Sequence, residues 1–232
     1  MSATKYRKPT FADFLQELII AKESERKEVE SIPVRKYYLI VTEGERTEPY
    51  YFNYFKNFLP RQIVSTITIS GEGDNTVNIV QKPIILREER RKNILLPDFD
   101  EVWAVYDKDD FPAQRFNKAV KLAIDAGIKS AHSNQAFELW YILHFRYLDN
   151  DLHRNRYLPI LADILGFEYK KNDENVVKFI FDNGNVRQAI QFAKKLDENS
   201  HGKTPSGSCP STKVHLLVEK LLEYCNIEDR KE

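Results

Sequence analysis

The 232 residues, 42% hydrophobic and 12% aromatic, hold enough apolar material for a real core and suit one compact domain, or one domain with an appendage. Thirty-five basic residues balance thirty-five acidic ones, which excludes a globally positive protein that coats nucleic acid, so any such contact must be local. No apolar run reaches the roughly 18 residues of a membrane span, and the opening MSATKYRKPT lacks the apolar stretch of a secretory signal; the expectation is a soluble, cytoplasmic protein with no membrane partner.

In chain order, Thr10 to about Glu30 reads as a helix with Phe11, Phe14, Leu15, Leu18 and Ile19 on one face, passing into the charged run ESERKEVE. Tyr37–Thr42 is a β-rich apolar run expected of a strand buried on both faces, and it stops at Glu43-Gly44. Thr47 is placed to cap a helix with Pro49 in its first turn, rich in Tyr and Phe and ended by Pro60. A second strand is expected over Ile63–Ile69, running into GEGDN. Asn75 is then the expected cap of a helix to Arg91 that kinks at Pro83. The glycines of GEGD lack GxGxxG spacing and make no dinucleotide fingerprint.

The third strand, Val102–Tyr106, ends abruptly in Asp107-Lys108-Asp109-Asp110. A helix from about Ala113 to Ala126 is closed by Gly127, a short fourth strand covers Ile128–His132, and Asn134 is placed to cap a helix over QAFELWYILHFRYL. Further helices are expected at about Arg154–Phe167, Asp173–Phe181, Asn185–Leu196 and Ser211–Tyr224. Strand and helix alternate as in an α/β protein with a parallel sheet covered on both faces, followed by a helical C-terminal region. The chain divides as a helical lead-in (1–34), an α/β core (35–150) and a helical region packed on it (151–232). Cys209 and Cys225 are too few for a disulfide framework, and with His201 and His215 they fit no zinc spacing, so they read as reduced structural thiols.

Ligands of open parallel sheets bind beyond the carboxyl ends of the strands, and two buried strands here finish in carboxylates: Glu43 after the first, Asp107 and Asp109 after the third. If the chain stays extended for two more residues, Asp107 and Asp109 point the same way and can hold one cation. Hard oxygen ligands suit Mg²⁺ or Mn²⁺, with Glu43 as a further ligand or as general acid or base. Such a metal serves phosphodiester chemistry, hydrolysis foremost.

The runs YLIVTEGERTEPYYF, VWAVYDKDDFP, SNQAFELWYILHF and CPSTKVHLLVEKL resemble, in the same order, motifs of the RloB family of bacterial proteins, over about Tyr37 to Leu221. That resemblance implies a Toprim-like (Rossmann-like) core of the kind found in topoisomerases, primases and OLD-type nucleases. It implies that Glu43 acts in acid–base work or at the metal, and that Asp107 and Asp109 bind the cation. Glu138, a further catalytic candidate, and the substrate-side residues Ser133 and Asn134 belong to the SNxxFELW motif, and capping alone also explains Asn134. The resemblance further implies a nuclease effector of anti-phage defence acting on DNA or RNA beside an ATPase partner, RloA-like, since no Walker motif is present. A non-catalytic nucleic-acid-binding or scaffold subunit is the alternative, and a homo-oligomer is compatible with either.

Arg46 and Lys108 are candidate phosphate contacts, with Arg115, Arg146, Arg154, Arg156, Lys203 and Lys213 as further basic residues for substrate grip. Glu45, Glu48 and Asp110 are second-tier acids, Glu48 favouring a helix N-terminus, and His144 is either a packed histidine or a proton shuttle.

Overall fold

A computed structural model describes residues 10–25, 35–64, 67–71 and 78–225. The first helix, α1 (Phe11–Glu25), buries Phe11, Phe14 and Leu15, the expected stripe; most of the charged run beyond Glu25 and the Asn75 cap lie outside the described residues. After it come β1 (Tyr38–Thr42), α2 (Thr47–Phe55), a 3₁₀ turn (Lys56–Phe58), α3 (Arg61–Val64), β2 (Ile67–Gly71) and α4 (Asn78–Lys92). The core is completed by β3 (Glu101–Val105), α5 (Ala113–Asp125) and β4 (Lys129–Ser130). The four strands form one parallel sheet in the order β2-β1-β3-β4, flanked by helices. The chain is therefore an α/β protein, consistent with a Rossmann- or Toprim-like fold.

Period-two alternation divides the core. Tyr38 and Ile40 of β1 and Trp103 and Val105 of β3 face one apolar cluster. Leu39 and Val41, with Val102 and Ala104, face the other, filled by Ile79 and Val80 of α4 and Phe116, Ala119 and Ala123 of α5. The first cluster is much the larger. It takes in α1 and α2 and then the C-terminal helices α6 (Glu138–Leu143), α7 (Tyr157–Leu165), α8 (Glu174–Asn183), α9 (Val186–Asn199) and α10 (Val214–Leu222), while β5 (Ser133–Asn134) and β6 (Ser211–Thr212) form a separate two-stranded sheet. One contiguous apolar core thus joins the helical C-terminal region to the sheet. Its helices start and stop by local chemistry. Asp173 accepts from Asn175 N–H and Asn185 from Gln188 N–H at the starts of α8 and α9, and Gly166 (φ 77°) closes α7 as Gly127 (φ 66°) follows α5.

Four expectations are corrected. The second strand begins only at Ile67, because Pro60 starts a helical turn in which Ile63 and Val64 N–H both bond its carbonyl. Thr47 does not cap α2: Arg46 holds that position, and the Thr47 hydroxyl donates to Asn172 Oδ1 at 3.3 Å instead. The helix expected after Asn134 shrinks to α6, since Gln135 takes φ 86° and the Asn134 amide donates to the carbonyls of Pro205 and Ser206. The last helix starts at Val214 because Ser211 and Thr212 pair antiparallel with β5. Pro83 lies within α4, which runs on through it.

Gly184, which joins α8 to α9, is fixed by close approach. A Cβ there would sit 2.6 Å from the Ile180 carbonyl oxygen and 2.9 Å from His144 Cβ. Gly184→Ala is expected to cost about 2 kcal/mol, as overpacking against backbone does. A lowered midpoint in urea denaturation checks it, and an unchanged midpoint would mean the junction relaxes freely.

Candidate active site

The carboxyl edge of the sheet is extended by loop hydrogen bonds. Glu43 N–H bonds Val105 O at 2.9 Å, carrying the β1–β3 ladder one residue further. Beyond β3, Ser133 N–H bonds Tyr106 O at 3.0 Å and Lys108 N–H bonds Ser133 O at 2.9 Å, with Asp107 and Ser133 bridged in parallel. Glu43 and Asp107 consequently meet at the rim, where Asp107 N–H donates to Glu43 Oε2 at 2.9 Å. Asp107 Oδ2 accepts the backbone N–H of Phe137 at 2.9 Å, at the entry to α6, while Asp107 Oδ1 is buried with no hydrogen-bond partner among the described residues. A buried carboxylate oxygen left unsatisfied is costly in a folded protein, and a site for a cation is one of the places where such an atom is found.

Asp109 does not follow Asp107. Its N–H is held by Gln135 O at 2.9 Å, its backbone turns to φ 46°, and the extended geometry that would align the two aspartates ends there. Its carboxylate pairs instead with Arg154, whose guanidinium also grips Asp110; His153 Nε2 lies 3.1 Å from Asp110 Oδ1. Among the described residues no group of three or more His, Cys, Asp or Glu stands close enough together to hold a metal ion. The Glu43 carboxylate is brought to the Asp107 backbone, and the Asp109 carboxylate, still close enough for its charge to act on both, is taken up by Arg154.

Two further carboxylates close in behind Asp107. Glu48, in the first turn of α2, is buried, and its carboxylate lies against the Gly44 backbone so tightly that a Cβ there would collide with it. Helix-terminal charge accounts for its position but not for its burial. Glu138, only 2% exposed, accepts from Tyr169 O–H at 3.0 Å and lies 3.4 Å from Lys171 Nζ. Burial, then the charges of Glu48, Asp109, Glu43 and Glu138, hold the Asp107 carboxyl well above the usual range. Burial likewise pushes Glu43 up to about 7, against the hydrogen bond from Asp107 N–H and with help from Asp109 and Glu48. Glu48 is also pushed up to about 7, first by burial and then by Glu138, while backbone N–H groups, its own and that of Gly44, pull the other way. The cluster carries more negative charge than Arg154 and Lys171 balance. All-oxygen donors and the orphaned Asp107 Oδ1 are the chemistry a hard divalent cation takes, and Glu43 and Asp107 are the residues that would hold one.

The substrate-side residues divide. Arg46 is exposed at the start of α2 and Lys108 is half-buried at the rim. Ser133 and Asn134 are buried: Ser133 Oγ lies 3.0 Å from Thr212 Oγ1 and the Asn134 amide holds the Pro205–Ser206 carbonyls, so both tie the C-terminal loop to the sheet edge. His144 is a packed histidine. Its Nδ1–H donates to Trp140 O at 2.8 Å, Nε2 accepts from Tyr51 O–H at 3.3 Å, and burial lowers its pKa to about 4. Among the described residues neither Cys209 nor Cys225 forms a disulfide.

A family model described as RloB-like protein matches residues 38–221. The chain belongs to the RloB-like family. No curated protein and no solved structure matches it. The RloB-like segment opens on the first residue of β1 and ends within α10, so it takes in every site residue named above together with Tyr169 and Lys171, and it leaves α1 outside. Tyr169 and Lys171 carry no motif signal; they reach the RloB-like site only because the loop after α7 folds back over Glu138. No helix among the described residues is long and apolar enough to cross a membrane.

Lys171 is the cation beside a buried carboxylate. Lys171→Met is expected to cost about 1–2 kcal/mol, the Lys171 end being half exposed, and adding Glu138→Gln should recover most of it. Urea denaturation of the single and double variants checks the coupling, and equal losses in both would mean the pair acts independently.

Proposed function

We propose that this RloB-like protein is a Mg²⁺- or Mn²⁺-dependent nuclease that hydrolyses phosphodiester bonds of DNA or RNA, acting in anti-phage defence with an ATPase partner. The observation that carries the reading is the meeting of Glu43 with the Asp107 backbone at the carboxyl edge of a parallel sheet, with a buried Asp107 oxygen that no described residue satisfies. When bound, a divalent cation polarises a phosphoryl oxygen and acidifies water. Asp107 and Glu43 would hold that cation. Without a cation Glu43 is pushed up to about 7, chiefly by burial; a bound cation would draw it back down and hold it as a carboxylate. Arg154 and Lys171, at the rim, supply the positive charge that an incoming phosphodiester requires. With no net charge overall, the chain suits an effector that engages its substrate locally and when released to do so.

The test is incubation of the purified protein, alone and with a candidate ATPase partner, with Mg²⁺ or Mn²⁺ and labelled plasmid, single-stranded DNA or tRNA. Cleavage that vanishes in both Glu43→Gln and Asp107→Asn supports the proposal and shows which polymer is cut. Absence of cleavage under every condition, with defence intact in both variants, would replace it with a non-catalytic scaffold that uses its carboxylates only to organise the rim.

A further inference from the structure

We infer that Arg154 is a latch on the cation site, released by the phosphodiester backbone of the substrate; the inference rests on the nuclease reading above. Arg154 opens the 3₁₀ turn Arg154–Arg156 ahead of α7, and its guanidinium spends one Nη on Asp109 Oδ1 and the other on Asp110 Oδ2. Gln135 locks the arrangement from both ends: its carbonyl accepts Asp109 N–H at 2.9 Å and its side-chain Oε1 accepts Arg154 N–H at 3.1 Å. The Asp109 carboxylate is thereby spent on Arg154, while Asp107 Oδ1 has no hydrogen-bond partner among the described residues. The residue that would complete the cation's ligands is occupied by an arginine.

The same fork geometry makes the latch releasable. A guanidinium binds phosphate oxygens in the bidentate manner in which it binds carboxylates, and Arg154 is about three-tenths exposed, open to an arriving anion. A phosphodiester that takes the guanidinium frees Asp109 to turn towards Asp107, and the cation and the substrate then favour one another's binding. Linkage makes the effect reciprocal. The restraint lies within the chain and keeps the site incomplete until a polynucleotide lies on it.

Isothermal titration of the full chain with Mn²⁺, with and without a phosphorothioate single-stranded oligonucleotide of deoxy- or ribonucleotides, tests this. Wild-type affinity for Mn²⁺ is expected to rise about tenfold when oligonucleotide is present. Arg154→Ala should bind Mn²⁺ about tenfold more tightly than wild type without oligonucleotide and should no longer respond to it, with Asp110→Asn in between. Circular dichroism confirms folding, and if Arg154→Ala fails to fold, Arg154→Lys, which keeps the charge but cannot bridge both carboxylates, should still show severalfold tightening. Variants that bind Mn²⁺ as wild type does, or an oligonucleotide effect that survives in Arg154→Ala, would overturn the latch while leaving the cation site standing. Failure of both wild type and Arg154→Ala to bind Mn²⁺ under either condition would overturn the nuclease reading itself.

Discussion

Asp107→Asn is expected to lower metal-dependent cleavage at least about a hundredfold while making the metal-free protein more stable. The activity loss follows from removing a charged oxygen where a cation would be held; even groups one step removed from a metal are worth tens of fold. The gain in stability follows from the sign of the pKa shift. A carboxyl held above its usual range by burial and by neighbouring carboxylates keeps its proton more tightly in the folded chain, so its ionisation destabilises the fold as pH rises past the unfolded value. Asparagine removes that penalty, keeps an oxygen to accept the Phe137 N–H, and offers the buried side an amide donor facing carboxylates. Melting at pH 8 in EDTA should place Asp107→Asn above wild type. Adding Mn²⁺ should raise wild type and leave the variant unmoved. A variant less stable in EDTA, or an equal response to Mn²⁺, would mean Asp107 is a structural acid and not a place for a cation.

What the sequence discloses of this site is decided by whether the signal is local. β1 and β3 are legible as continuous apolar runs because a central parallel strand is buried on both faces, and the acids that end them are legible as rim residues for the same reason. The arrangement beyond the strand ends is not. Asp109 sits two residues from Asp107, yet a positive φ and an arginine from a segment far along the chain carry it elsewhere. Asn134 has the chemistry of a helix cap and is used instead to hold the Pro205–Ser206 turn, a tertiary contact that overrides a local preference. Ile63 and Val64 have strand propensity, but Pro60, three and four residues upstream, starts the helical turn that takes them. Lys171 and Tyr169 read as ordinary loop residues until Glu138 is seen buried beneath them. Except at Pro60, whose effect is local, a long-range partner absent from any sequence window decides the outcome.

Glu48 gives the sharpest physical test of how much charge the rim stores. In the wild type its carboxyl is pushed up from 4.5 to about 7, so the folded chain binds a proton there that the unfolded chain has already released. Stability at this position therefore falls as pH rises through that interval and levels off above it. Glu48→Gln cannot ionise, and its amide oxygen can still accept from the Gly44 N–H. The variant should match wild type near pH 4 and exceed it by on the order of 3 kcal/mol at pH 8 in EDTA. Buried His132 and His144, lowered to about 3 and about 4 by desolvation, act oppositely, costing stability as pH falls below the ordinary histidine range. They are common to both proteins and cancel in the difference, which is why the comparison is made between variant and wild type and not on one pH profile. Urea denaturation at a series of pH values reads that difference directly. A flat difference would show that Glu48 ionises as an ordinary surface acid, and the surplus of negative charge on which both the cation site and the Arg154 latch depend would then be smaller than its burial implies.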